Sequence, residues 1–146
     1  MFNIFKKKRD ESITDKYLRL MDEGKLPEAL EAIEEIITQN PNISTSYFNY
    51  GICLSQLGRH DDSANAFLKA YKLDNTDGAA LYRACISLAV SNNKLKLYEV
   101  FKSELEWNPY MINDFIDEEM FYKFFTESKF VKLKEQYLDY IGKEEH

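Results

Sequence analysis

The chain has 146 residues, a formal net charge of -6, 45% hydrophobic and 30% charged residues, and only 5 Gly and 3 Pro. That length suits one domain with a sizeable core, and so few backbone breakers favour helix over a turn-rich β fold. The acidic balance excludes a general nucleic-acid binder, which needs clustered Lys and Arg, and no apolar run approaches the ~20 residues of a membrane span.

The chain opens with "MFNIFKKKR", in which Met1, Phe2, Ile4 and Phe5 precede the basic run Lys6 to Arg9. The order is wrong for a secretory leader, because the charge follows the apolar part. Residues 1–9 are therefore expected to be a tail, whose sharper reading is a weak anchor to an anionic membrane surface.

From residue 10 an internal period of 34 governs the chain. Gly24, Gly58 and Asn92 share it, and all three types accept a left-handed backbone. Pro41, Asn75 and Pro109 share it too, each just past a helical pattern where a stop belongs. The same interval links Leu20, Leu54 and Leu88, then Ile33, Phe67 and Phe101, then Ala32, Ala66 and Val100.

Each unit reads as helix, turn, helix. In the first, residues 10–43, Pro27 suits the opening turn of "LPEALEAIEEII", with Glu28 and Glu31 near the positive end of the helix dipole. In the second, residues 44–77, Tyr47, Tyr50, Gly51 and Leu54 fall on one helix face and Gly58 breaks the pattern. Asp61 or Asp62 is expected to cap the next helix, whose inner face is Ala66, Phe67, Ala70 and Leu73. Ser44 and Asp77 are placed to cap the first helices of the second and third units. The third unit spans residues 78–111.

Beyond it, residues 112–146 hold "INDFIDEEMFYKFF" and "SKFVKLKEQYLDYI", expected as a last hairpin capped near Asn113 and Ser128 and stopped at Gly142. Ten of the chain's aromatics lie between Trp107 and Tyr140. A repeat array must cover the apolar face of its last unit, so a capping element is predicted, with an exposed aromatic face as the alternative.

These columns resemble the tetratricopeptide repeat. The middle unit, "STSYFNYGICLSQLGRHDDSANAFLKAYKLDNTD", carries the likeness best. There Tyr47, Tyr50, Gly51 and Leu54 match the family's first-helix pattern, and Ser63, Phe67 and Ala70 its second-helix pattern. Tyr17 stands where Gly51 is expected, and Leu97 and Glu104 replace the small pair in the third unit, which predicts altered packing there. The resemblance implies an all-α, right-handed superhelical solenoid of three helix-turn-helix hairpins with a C-terminal capping helical hairpin.

It also implies a concave surface lined by first helices, through Thr14, Leu18, Met21 and Asp22, then Phe48, Asn49, Ile52, Ser55 and Gln56, then Tyr82, Arg83, Ile86 and Ala89. Some members grip a partner's terminal carboxylate with a basic and amide clamp. Asn49 and Arg83 match clamp positions, but Thr14, Leu18 and Ala79 do not. The expected partner is an apolar peptide or amphipathic helix bound by Leu18, Met21, Phe48, Asn49, Ile52, Gln56, Tyr82, Arg83 and Ile86. The aromatic C-terminal segment or the "MFNIF" stretch could instead fold back into this groove, and the alternative is a self-associating structural adaptor that pairs with a second copy through the groove or the aromatic C-terminal face.

His60, Asp61, Asp62 and Ser63 are the residue types of a hydrolase triad, but neighbours at a helix start diverge by about 100° each and cannot converge on one atom. No P-loop, dinucleotide fingerprint, HExxH or nucleophile-elbow pattern occurs, and Glu34, Glu35 and Asp117 to Glu119 read as solvated helix faces. No enzyme activity, cofactor or metal is expected. Cys53 and Cys85, each in an apolar run, are expected to be reduced, buried residues of a cytoplasmic protein.

Overall fold

The structure, a computed structural model, describes residues 11–76 and 78–144. Three helical hairpins follow one another. The first pairs α1 (Ile13–Asp22) with α2 (Leu26–Gln39), the second α3 (Ser44–Gln56) with α4 (His60–Leu73), and the third α5 (Gly78–Val90) with α6 (Lys94–Trp107). A 3₁₀ turn (Pro109–Met111) leads into α7 (Ile112–Ile116), α8 (Glu119–Phe125) and α9 (Ser128–Glu144). No strand forms among the described residues, and none of the described helices is long and apolar enough to cross a membrane.

The hairpin turns are one device used three times. Gly24, Gly58 and Asn92 take φ of +70°, +75° and +57°, the left-handed region that the period of 34 anticipates. Each closes a Schellman motif, in which two amides after the helix return to carbonyls of its last turn. The pairs are Lys25 N–H to Leu20 and Gly24 to Met21, Arg59 to Leu54 and Gly58 to Ser55, and Asn93 to Leu88 and Asn92 to Ala89, at 2.9 to 3.1 Å.

Complementary volumes lock the first two hairpins. Gly51 leaves room for the ring of Phe67, which would come within 2.8 Å of any Cβ added at that glycine. One period earlier the bulk is exchanged, with Tyr17 opposite the smaller Ile33, and both are buried in the N-terminal core cluster. Ser63 is small enough to reach the other helix and donates to the Gly51 carbonyl at 2.7 Å.

The third hairpin is different. Leu97 and Glu104 stand in the columns filled by Ser63 and Ala70, and α6 makes far looser contact with α5 than α4 does with α3. The C-terminal helices fill the resulting wedge. Around Phe101 gather the rings of Phe115, Phe121, Phe125 and Phe130, with centroids 4.9 to 6.2 Å away. The core is accordingly divided. One cluster joins α1, α2 and Cys53 of α3, and the larger one runs from Ala64 of α4 to Ile141 of α9.

Several expected caps are corrected. Asp61 and Asp62 lie inside the first turn of α4, behind Arg59 at the N-cap position. Asp62 pairs with Arg59 at 2.7 Å, while Asp61 accepts from Ser91 Oγ and Asn93 Nδ2 at 2.9 and 3.0 Å, joining the second hairpin to the third turn. Ser44 follows the N-cap Ile43 and donates to the Ala70 carbonyl at 2.9 Å, so it ties α3 to the end of α4. Asp77 lies outside the described residues, as do the "MFNIFKKKR" stretch and His146.

In the C-terminal segment the expected single helix over "INDFIDEEMFYKFF" is broken at Asp117–Glu118, so those carboxylates lie at a junction and not on a helix face. Asn113 is internal to α7, and Ser128 is the first residue of α9. Gly142 does not stop α9, which continues through it with Ile141 buried beneath. Cys53 and Cys85 are both buried and unbridged. Burial pushes the Cys85 thiol far above its ordinary value.

Candidate partner-binding site

The residues expected to line the binding surface divide into two sets. Leu18 is 53% exposed on α1, and Met21 packs partly against the N-terminal cluster. Phe48, Asn49 and Ile52 are half-buried on α3, and Gln56 is exposed at its end. Phe48 packs edge-on against Phe67 with centroids 5.3 Å apart, and the Arg83 guanidinium lies 5.6 Å over its ring. Arg83 thus couples α5 to α3 by a cation–π contact. The Asn49 carbonyl accepts from the buried Tyr17 hydroxyl at 3.3 Å, and burial, with Cys53 nearby, pushes that phenol up to about 12.

On α5 the structure builds a groove. Tyr82, Ile86, Ala89 and Val90 form one wall, and Glu118, Glu119, Met120 and Lys123 the other, enclosing about 620 Å³. Tyr82 is held from both sides, tilted against the Phe115 ring at 5.7 Å and donating to Glu118 Oε1 at 3.0 Å. Burial, and then that carboxylate, raise its phenol pKa. Lys123 Nζ reaches the Ala89 carbonyl at 3.5 Å and fixes α8 against α5.

The predicted residues Tyr82 and Ile86 are therefore brought together in the groove, and Phe48 and Arg83 meet outside it, whereas Leu18, Met21, Asn49, Ile52 and Gln56 are not among its lining residues. Val90 and Met120, 51% and 36% exposed, were missed. Val90 extends the series Tyr82, Ile86 by one more turn, a signal present in the sequence. Met120 and the charged rim come from beyond the last repeat, where the period of 34 gives no register.

The C-terminal aromatics mostly face inward. Phe115, Phe121, Phe124, Phe125 and Phe130 are buried, while Trp107, Tyr110, Tyr122 and Tyr140 are exposed. The string His60 to Ser63 disperses. The Ser63 hydroxyl is buried on the Gly51 carbonyl, Asp62 turns to Arg59, and Asp61 turns to the next hairpin.

Stacked helical hairpins with a periodic turn and an apolar groove define the class of helical-repeat solenoids. Residues 32–63, from the second half of α2 to the start of α4, match the family model described as tetratricopeptide repeat, so that stretch is of that repeat type. The match takes in the second half of one hairpin's second helix, the whole of the next one's first and the turn after it. Among solved structures, a double mutant of MamA (MamA RS-1 ArsTM) shares the fold, with a TM-score of 0.62 at 20% identity, covering 87% of this chain and 72% of that one. No curated protein matches the sequence.

Proposed function

We propose that the chain is a protein-interaction module that captures an apolar peptide or one face of an amphipathic helix in the groove between α5 and α8. The groove itself carries this reading. It is apolar at its floor through Ile86, Ala89, Val90 and Met120, rimmed by Glu118, Glu119 and Lys123, and long enough in α5 to receive side chains spaced by helical turns. Tyr82 closes one end with its hydroxyl already bonded, so a partner meets its ring and not an unsatisfied polar group. In this reading residues 10–43, 44–77 and 78–111 are the hairpin units and 112–146 is the cap. The cap supplies half of the groove as well as covering the last unit. Leu18, Met21, Phe48, Asn49, Ile52, Gln56 and Arg83 extend the contact surface toward α1 for a longer partner.

The test uses Val90→Arg and Met120→Arg, both at exposed positions where the fold tolerates charge. A panel of amphipathic peptides is screened against the wild-type chain, and the best binder is titrated into each variant. Each substitution should weaken binding roughly ten-fold or more, with far-UV circular dichroism unchanged. Equal affinity in both variants refutes the groove.

A further inference from the structure

A second cleft, of about 510 Å³, opens on the other side of Tyr82, between the ends of α4 and α6 and the starts of α5 and α7. It exists because of the altered third unit. Where Ala70 lets α4 lie close to α3, the column holds Glu104 in α6, and the two helices of that hairpin pack more loosely.

The chemistry of the cleft is one-sided. Tyr71, Tyr82 and Trp107 supply aromatic walls above the buried Phe115, Glu104 and Asp114 supply carboxylates, and no Lys, Arg or His is among its lining residues. Lys72 lines a neighbouring shallow cleft beyond the Tyr71–Glu104 pair. Tyr71 donates to Glu104 Oε2 at 3.0 Å, which holds the carboxylate at the cleft's edge. Trp107 is 81% exposed, although burying such a side chain is among the largest apolar gains a contact can make.

We infer that this cleft receives the guanidinium of an arginine side chain carried by a partner peptide. A planar cation that stacks on aromatic faces and donates to carboxylates in its own plane matches both wall types, which a compact ammonium does only in part. The inference does not rest on the α5–α8 groove, with which this cleft shares only Tyr82; Ile86, Val90 and Met120 do not line it.

Trp107 is the chain's one tryptophan, so its fluorescence reports occupancy directly. N-acetyl-arginine amide, N-acetyl-citrulline amide and choline are titrated separately into the full chain. The arginine probe should give a saturable change that weakens in high salt, and citrulline, neutral and of nearly the same shape, should give none. Glu104→Gln keeps an acceptor for Tyr71 and should weaken the arginine probe roughly ten-fold, as should Asp114→Asn. Equal response to arginine and citrulline, or no saturable response to arginine, overturns the site. Choline binding as tightly as arginine overturns the guanidinium assignment, because its quaternary ammonium has no N–H to give either carboxylate. Concentration-dependent dimerisation abolished by Glu104→Gln would place a basic side chain of a second copy there, and overturn the partner assignment.

Discussion

Gly51→Ala is the sharpest test of how the middle hairpin is locked. A Cβ at residue 51 would lie 2.8, 2.8 and 2.9 Å from Cδ1, Cε1 and Cζ of Phe67, well inside the ~3.5 Å at which carbon atoms first gain from contact. The ring has little room to retreat, because Phe67 is 1% exposed and Phe48 packs edge-on against it. Overpacking of this kind costs about 1–3 kcal/mol, while alanine regains up to ~1 kcal/mol over glycine in a helix interior. The net loss should be about 1–2 kcal/mol, a fall in Tm of roughly 5 °C for a chain of this size. The decisive measurement is the same substitution in a Phe67→Leu background, followed by thermal unfolding under circular dichroism. There the clash is relieved and only the helix-propensity gain remains, so Gly51→Ala should become stabilising. If it raises Tm with Phe67 present, or costs the same in both backgrounds, the volume argument is wrong.

Two further outcomes follow from the turns and the junction between hairpins. Gly24→Ala and Gly58→Ala force a Cβ into positive φ, and each should cost about 1 kcal/mol in urea unfolding, whereas Asn92→Gly should be neutral or stabilising. An Asn92→Gly loss as large as the two alanine losses would sink the strain argument. The Asp61 carboxyl is held below its ordinary value of 3.8, first by Asn93 and then by Ser91. Its folded pKa is the lower one, so its stabilisation is present above pH 3.8 and fades as pH falls through the folded value. Asp61→Asn should flatten the acid limb of the stability profile in that window, and an unchanged limb would show that the bonds carry no net energy.

Much of the fold was legible because turn chemistry and volume both repeat. A left-handed position, a stop and a large apolar residue recur at one interval, and each is a local demand that no tertiary context has to supply. The caps were misread for a related reason. Ser44, Asp61 and Asp62 are good N-cap types, but Ser44 donates to the end of α4, Asp61 accepts from the third hairpin's turn and Asp62 pairs with Arg59 at the head of its own helix; sequence spacing alone says nothing of the first two partners. The break at Asp117–Glu118 was invisible because both residues suit a helix. What requires it is Phe115 and Phe121, six apart, which a continuous helix would point about 120° away from one another. Both rings pack on Phe101, and on each other at 5.1 Å, so the helix has to end between them. The groove was half legible for the same cause, since its second wall comes from that irregular segment.

The division of the core also sets an order of events in time. With little apolar area to lose, α1 and α2 can detach at a lower free energy than the rest, and their amides should be the first to exchange with solvent. The groove and the acidic cleft are both seated on the larger cluster. Breathing at the α1–α2 end therefore leaves both of them assembled, while Leu18 and Met21 come and go with the helix that carries them.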